Sequence, residues 1–155
     1  NGNDRACYAA IGTEDIRTVL AHPAVMVGAD SIPPAEGAKA HPRSFGTHPR
    51  VIAKYVREEK VLSLEEAVRK MTSMPAARYG MQQKGLVREG MDADIVVFDP
   101  EKVKDNATYE NPTELAAGMD YVFVNGVMTL EGGSFTGDAA GEVMRKGYRK
   151  QRQKC

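Results

Sequence analysis

Two side chains in this sequence have the type and setting to do chemistry. Asp30 follows Ala24-Val25-Met26-Val27-Gly28-Ala29, an apolar run that opens into Ser31 and a proline-rich stretch. A carboxylate where a buried strand leaves its sheet can serve as general base or metal ligand. The plainer alternative is an Asx turn that caps loop amides. Arg43 sits in His41-Pro42-Arg43-Ser44-Phe45-Gly46-Thr47-His48-Pro49-Arg50. Its planar fork suits bidentate recognition of a carboxylate, whereas the plainer reading is an ordinary ion pair. The three histidines, His22, His41 and His48, form neither His-x-His nor His-Glu-x-x-His. That spacing argues against a self-contained zinc site, and His22 before Pro23 reads as a helix-end residue near the negative end of the dipole. Glycine-rich phosphate loops are absent, and Ser31 and Ser44 lack the setting of an activated nucleophile.

Glu14 and Asp15 after Thr13, with Ile16, Val19 and Leu20 at helical spacing, predict a short helix capped by Thr13 and stopped at His22-Pro23. The unalternating run Ala24–Val27 predicts a parallel strand buried on both faces. Residues 31–49, rich in Pro, Gly and Ala, read as a long loop of the kind that carries function. Val51, Ile52, Tyr55 and Val56 predict a second helix ending in Arg57-Glu58-Glu59-Lys60. Ser63-Leu64-Glu65-Glu66 is a capping box opening a third helix, with Leu64, Ala67, Val68 and Met71 on one face. A fourth short helix follows Thr72, with Pro75 in its first turn and Gly80 as its C-terminal stop.

From Gly85 the texture changes to strand signals. Leu86-Val87 leads into Ala93-Asp94-Ile95-Val96-Val97-Phe98-Asp99-Pro100, and residues 101–119 read as polar connection. Asn125-Gly126, between Tyr121–Val124 and Val127–Leu130, is the preferred type I′ hairpin turn, and Gly132-Gly133 ends the second strand.

Composition narrows the function classes. The chain has 155 residues, enough for one ordinary core, and 21 Lys and Arg balance 21 Asp and Glu. Neutrality, no Trp and few aromatics argue against a nucleic-acid binder, and the apolar runs are too short to span a membrane. Six bases and no acid fall in residues 145–155, which leaves residues 1–144 with a formal charge of −6. That tail reads as a solvated terminus rather than a binding patch. Cys7 and Cys155 have no motif partner, so a reducing, cytoplasmic setting is expected. A first residue Asn1, with no signal peptide, suggests a piece of a longer protein.

Ala24–Ser31, His41-Pro42-Arg43-x-x-Gly46-Thr47-x-Pro49-Arg50, Glu65–Thr72 and Ala93–Pro100 closely resemble the C-terminal part of the N-acyl-D-amino-acid deacylases, in the metal-dependent amidohydrolase superfamily. The likeness runs from about Gly12 to Gly137. Ala29 stands where the family suggests Ser, and the family's loop after the aspartate is a little shorter than the stretch over Ser31–Ala40. The resemblance implies an α/β fold: the C-terminal portion of a (β/α)8 barrel with strands of a small β-sandwich. Residues 1–85 would end the barrel, 86–140 would supply sandwich strands, and 141–155 would be the basic tail. It also implies zinc, a catalytic role for Asp30 with a possible metal contact, and a substrate carboxylate held by Arg43. The principal zinc ligands, a His-x-His, a cysteine and two later histidines, would lie upstream. The chain alone is therefore expected to be inactive, with exposed apolar edges that favour self-association. The implied partners are a small N-acyl-D-amino acid and the N-terminal part of the same protein. Two alternatives stand beside this: a cyclic-amide hydrolase of the hydantoinase or dihydroorotase kind, and a non-catalytic binding module that uses the hairpin sheet.

Overall fold

The computed structural model describes residues 11–32 and 40–144. Helices come first and a small antiparallel sheet follows. The helices are α1 (Thr13–Ala21), α2 (Arg43–Arg50), a π-helical continuation (Val51–Glu58), α3 (Leu64–Met71) and α4 (Ser73–Tyr79). The strands are β1 (Ile95–Phe98), β2 (Met119–Val124), β3 (Val127–Glu131) and β4 (Ser134–Phe135), hydrogen-bonded in chain order. The two ends of the sequence, with Cys7, Cys155 and the basic run 145–155, lie outside the described residues.

Helix α1 begins one residue earlier in its capping than expected. Gly12 is the N-cap, and the Asp15 carboxylate accepts its N–H at 3.3 Å, so Thr13 is already helical. Leu20 is buried but Val19 is 54% exposed, because α1 meets the core along a single narrow line. That core joins Leu20, Val51, Tyr55, Leu62 and Ala67, with Ile16 and Val27 packed against it.

Residues 24–27 form no strand. A run without alternation needs cover and ladder partners on both sides, and no other strand of the described residues pairs with it. Its backbone is held from α3 instead. The fully buried Lys70 ammonium donates to His22 O at 2.6 Å and Val25 O at 2.9 Å, and the Val27 N–H donates to Lys70 O at 3.2 Å.

The long loop is also shorter than expected, since α2 starts at Arg43 and runs straight into the π segment. Pro49 within it has no N–H, which interrupts the α ladder just before the register widens to the i to i+5 pattern. The Glu59 N–H closes that pattern on Lys54 O at 2.8 Å. Ser63 caps α3 as expected, its hydroxyl accepting the Glu66 N–H at 3.2 Å. The reciprocal half of the box is not made, because Glu66 turns to Arg69 at 2.7 Å. Gly80 stops α4 in the left-handed region at φ 72°.

Leu86 and Val87 are exposed and irregular rather than a lead-in strand. The hairpin at Asn125-Gly126 forms with φ of 51° and 82°, and Gly132-Gly133 makes a second two-residue turn into β4. Residues 101–118 are more than polar connection. Val103 and Ala107 are buried, Lys104 pairs with Ala117, and Arg57 donates to Pro100 O and Val103 O at 2.8 and 2.9 Å. That segment fastens the sheet to the long helix.

Candidate active site

The described residues bring Asp30 and Arg43 together. Asp30 ends the irregular segment, and Arg43 opens α2 thirteen positions later. An Arg43 guanidinium nitrogen lies 3.1 Å from an Asp30 carboxylate oxygen. The Asp30 side chain is 84% exposed and that of Arg43 42%, so the pair contributes only about 0–1 kcal/mol. Both groups are consequently available to a ligand. Asp30 also sits at φ 47°, in the left-handed region that a non-glycine residue enters at a cost of about 1–2 kcal/mol. Backbone strain of this kind clusters at functional sites, and Asp bears it better than most residues.

His41 braces the start of α2. Its Nδ1 accepts the Arg43 N–H at 3.1 Å, and its ring meets Tyr109 edge-on at 5.4 Å between centroids. Partial desolvation first, then the positive charges of Arg43 and Arg50, hold its pKa below the ordinary value of 6.5. The imidazole is therefore neutral near pH 7, the form an Nδ1 acceptor requires.

Behind this edge, Arg50 donates from Nε to Asp105 at 2.6 Å, and Asp105 also accepts the Ala107 N–H at 3.0 Å. The Asp105 side chain is 7% exposed. It lies so close to Gly46 that a Cβ there would stand 2.0 Å from its oxygen. His41, Arg43, Gly46, Arg50, Asp105 and Tyr109 thus line one concavity beside the Asp30–Arg43 pair.

The sequence did not single out Asp105, Tyr109 or Lys70. Their partners lie far along the chain, 55 residues away for Arg50 and Asp105, and no local spacing encodes such contacts. The three histidines are not gathered. His22 ends α1, where its Nδ1 accepts the Ala24 N–H, and His48 lies in the last turn of α2. Among the described residues no three of His, Cys, Asp and Glu converge as a metal site. None of the described helices is long and apolar enough to cross a membrane.

A family model described as "Amidohydrolase family" matches residues 6–130. A D-aminoacylase of Alcaligenes xylosoxydans xylosoxydans is 43% identical over 141 residues, which is 91% of this chain and 29% of that protein. A solved D-aminoacylase described as having a binuclear metal centre superposes with a TM-score of 0.78 at 44% identity, covering 83% of this chain and 27% of that one. An N-acyl-D-glutamate deacylase from Bordetella bronchiseptica, solved with zinc and a phosphonate mimic of the tetrahedral intermediate, superposes with a TM-score of 0.71 at 40% identity. It covers 75% of this chain and 24% of that one. The chain spans less than a third of the length of these relatives.

Proposed function

The chain belongs to the amidohydrolase family, and from that premise we propose that it is the C-terminal part of a zinc-dependent hydrolase of N-acyl-D-amino acids. The products would be a D-amino acid and the freed carboxylate, the activity borne in the names of its relatives. In this reading residues 1–85 complete a (β/α)8 barrel, residues 86–140 supply strands of a β-sandwich, and residues 141–155 form a basic tail.

The observation that carries the reading is the 3.1 Å pairing of Asp30 with Arg43. In an N-acyl amino acid the scissile nitrogen and the α-carboxylate share one carbon. A carboxylate gripped by the Arg43 fork therefore brings that nitrogen close to Asp30. The incoming carboxylate takes the place of Asp30 on Arg43, and the weakness of an exposed pair makes the exchange inexpensive. Asp30, released, can take the proton of the attacking water and deliver it to the departing amine. His41 keeps Arg43 in place through its main-chain N–H.

Zinc does not fit the described residues by themselves. Asp30 offers one carboxylate contact, and no further ligand stands near it as part of a metal group. The remaining ligands would come from the part of the protein outside this chain, so the chain alone should not turn over substrate.

The test is steady-state kinetics on the full-length protein. Asp30→Asn should lower kcat on N-acyl-D-amino acids by about 10²–10⁴-fold. Arg43→Ala should raise KM by about 10–100-fold, the worth of a charge-assisted contact, while sparing cyclic amides. Full activity in Asp30→Asn, or an Arg43→Ala variant with unchanged KM, would overturn the assignment of roles. Cyclic-amide turnover that exceeds deacylation would favour the hydantoinase-like alternative.

A further inference from the structure

We propose that Lys70 is the positioning residue for Asp30: its buried ammonium holds segment 22–27, which pairs with no strand among the described residues, against α3 and so fixes where the carboxylate emerges. The catalytic part of this inference rests on the reading of Asp30 given above; the positioning part does not.

Lys70 has no solvent exposure, which is unusual for a lysine and demands partners for each of its donors. It finds them at His22 O, Val25 O and, at 3.7 Å, the Glu66 carboxylate. The first two lie on the segment that delivers Asp30, and neither is a ladder partner. On the same segment the Val27 N–H donates to the main-chain oxygen of Lys70 itself. One residue thus makes three of the hydrogen bonds that tie residues 22–27 to the helices, and a fourth from Arg69 to Pro23 O at 3.2 Å adjoins it. Beyond Val27 only Gly28 and Ala29 separate this anchorage from Asp30, whose backbone is already in the left-handed region. Gly28 offers no side chain to brace the stretch, so the register of Asp30 against Arg43 is set by what holds Val25 and Val27.

The arrangement is specific to a cation with several donors. An apolar replacement of similar length would fill the space but take the Lys70 donor from both carbonyl oxygens, leaving His22 O with only the Val25 N–H at 3.1 Å. Arginine keeps the charge and the donors. Glu66, by contrast, is the remote partner, and losing its charge leaves both carbonyl contacts in place.

The experiment uses the full-length protein with Lys70→Met, Lys70→Arg and Glu66→Gln. Hydrogen exchange followed by mass spectrometry reads protection in residues 22–30, and kinetics on an N-acyl-D-amino acid reads kcat and KM per zinc-loaded enzyme. Lys70→Met should lose protection over residues 22–30 by tenfold or more, while the β2–β3 hairpin keeps its own. Its kcat should fall at least tenfold with KM changed less than threefold, and Lys70→Arg should recover most of both. Wild-type protection of residues 22–30 in Lys70→Met, or equal loss across the whole molecule, would overturn the positioning role. Should Lys70→Met fail to fold, Lys70→Gln takes its place, since an amide can serve only part of the two-carbonyl site. Loss confined to residues 22–30 then supports the inference, and protection equal to that of Lys70→Arg overturns it. A wild type without deacylase activity would refute the functional reading, and exchange would still decide the positioning.

Discussion

The β2–β3 hairpin and residues 22–30 are both built from apolar side chains, yet they satisfy their backbones by opposite means. The hairpin pairs within itself and with a strand on either side. Its strands pair directly, Val124 opposite Val127 and Val122 opposite Leu130, around a turn whose two residues accept positive φ. Residues 22–30 borrow their partners from a helix more than forty positions away, through Lys70 and Arg69. Where an element closes on itself it takes its regular form with whatever neighbours are at hand. Residues 22–30, which pair with no strand among the described residues, follow the helix whose side chains hold them. In this molecule the second region carries the candidate chemistry, so the site inherits its geometry from distant packing.

The largest stability effect expected lies outside the hairpin, where α2 meets the segment that follows β1. Gly46→Ala would place a Cβ within 2.0 Å of the Asp105 carboxylate, which is buried and already bound by Arg50 and Ala107. Alanine gains about 1 kcal/mol of helix propensity over glycine. Overpacking against a fixed carboxylate costs about 1–3 kcal/mol beyond that gain. The urea midpoint of the full-length protein should therefore fall while the slope of the transition is kept. An unchanged midpoint would mean that the helix-to-connection joint yields as freely as a surface loop.

In the hairpin the expected effect is smaller and confined. Asn125→Ala puts a residue that avoids the left-handed region at φ 51° and removes the Nδ2 donor to Ala140 O at 2.7 Å. A loss of about 1–2 kcal/mol follows from the backbone term. Exchange should quicken in residues 119–131 while residues 22–30 keep their protection. Loss of protection in both regions together would break the distinction between them.

The same division governs how much was legible in the sequence. Asn125-Gly126, the Ser63 cap and the Gly80 stop are local devices, and each forms where its residues stand. Asp30 and Arg43 were readable only as candidates, each beside a plainer use as an Asx turn or an ordinary ion pair, and the structure sets them 3.1 Å apart. Their surroundings were not readable. Residues 24–27 carry the composition of a doubly covered strand, but composition cannot say which neighbours will be present to pair. The start of α2 was hidden by Pro42, Gly46 and Pro49, which read as loop residues. Pro42 in fact stands at the N-cap, Gly46 admits Asp105, and Pro49 precedes the widened helical turn. Nothing in the sequence marks Lys70, since only tertiary packing tells a buried ammonium from a solvated one.

The mildest expected effect is a pH dependence that belongs to the borrowed side. Arg17 of α1 grips Glu59 at the end of the π segment, with Nε to one carboxylate oxygen at 2.9 Å and a terminal nitrogen to the other at 3.2 Å. The Arg17 hydrogen bonds, aided by its charge and that of Lys54, hold the Glu59 carboxyl below its ordinary pKa near 4.5. A depressed folded pKa means that the unfolded chain binds the proton more readily. The stabilisation is thus fully present above the ordinary value and is lost as pH falls through the depressed one. Glu59→Gln should therefore lower the urea midpoint slightly at pH 7 and flatten its decline as pH falls below the ordinary carboxyl value of 4.5. Glu66 and Asp99, also held low by basic neighbours, keep that decline from vanishing. Because α1 leads directly into His22 and the segment that ends at Asp30, acid should loosen residues 22–30 before the hairpin in the wild type, and by a smaller margin in Glu59→Gln. Identical pH profiles for the two proteins, in midpoint and in exchange, would show that the Arg17–Glu59 contact is too well screened by solvent to steady the segment at all.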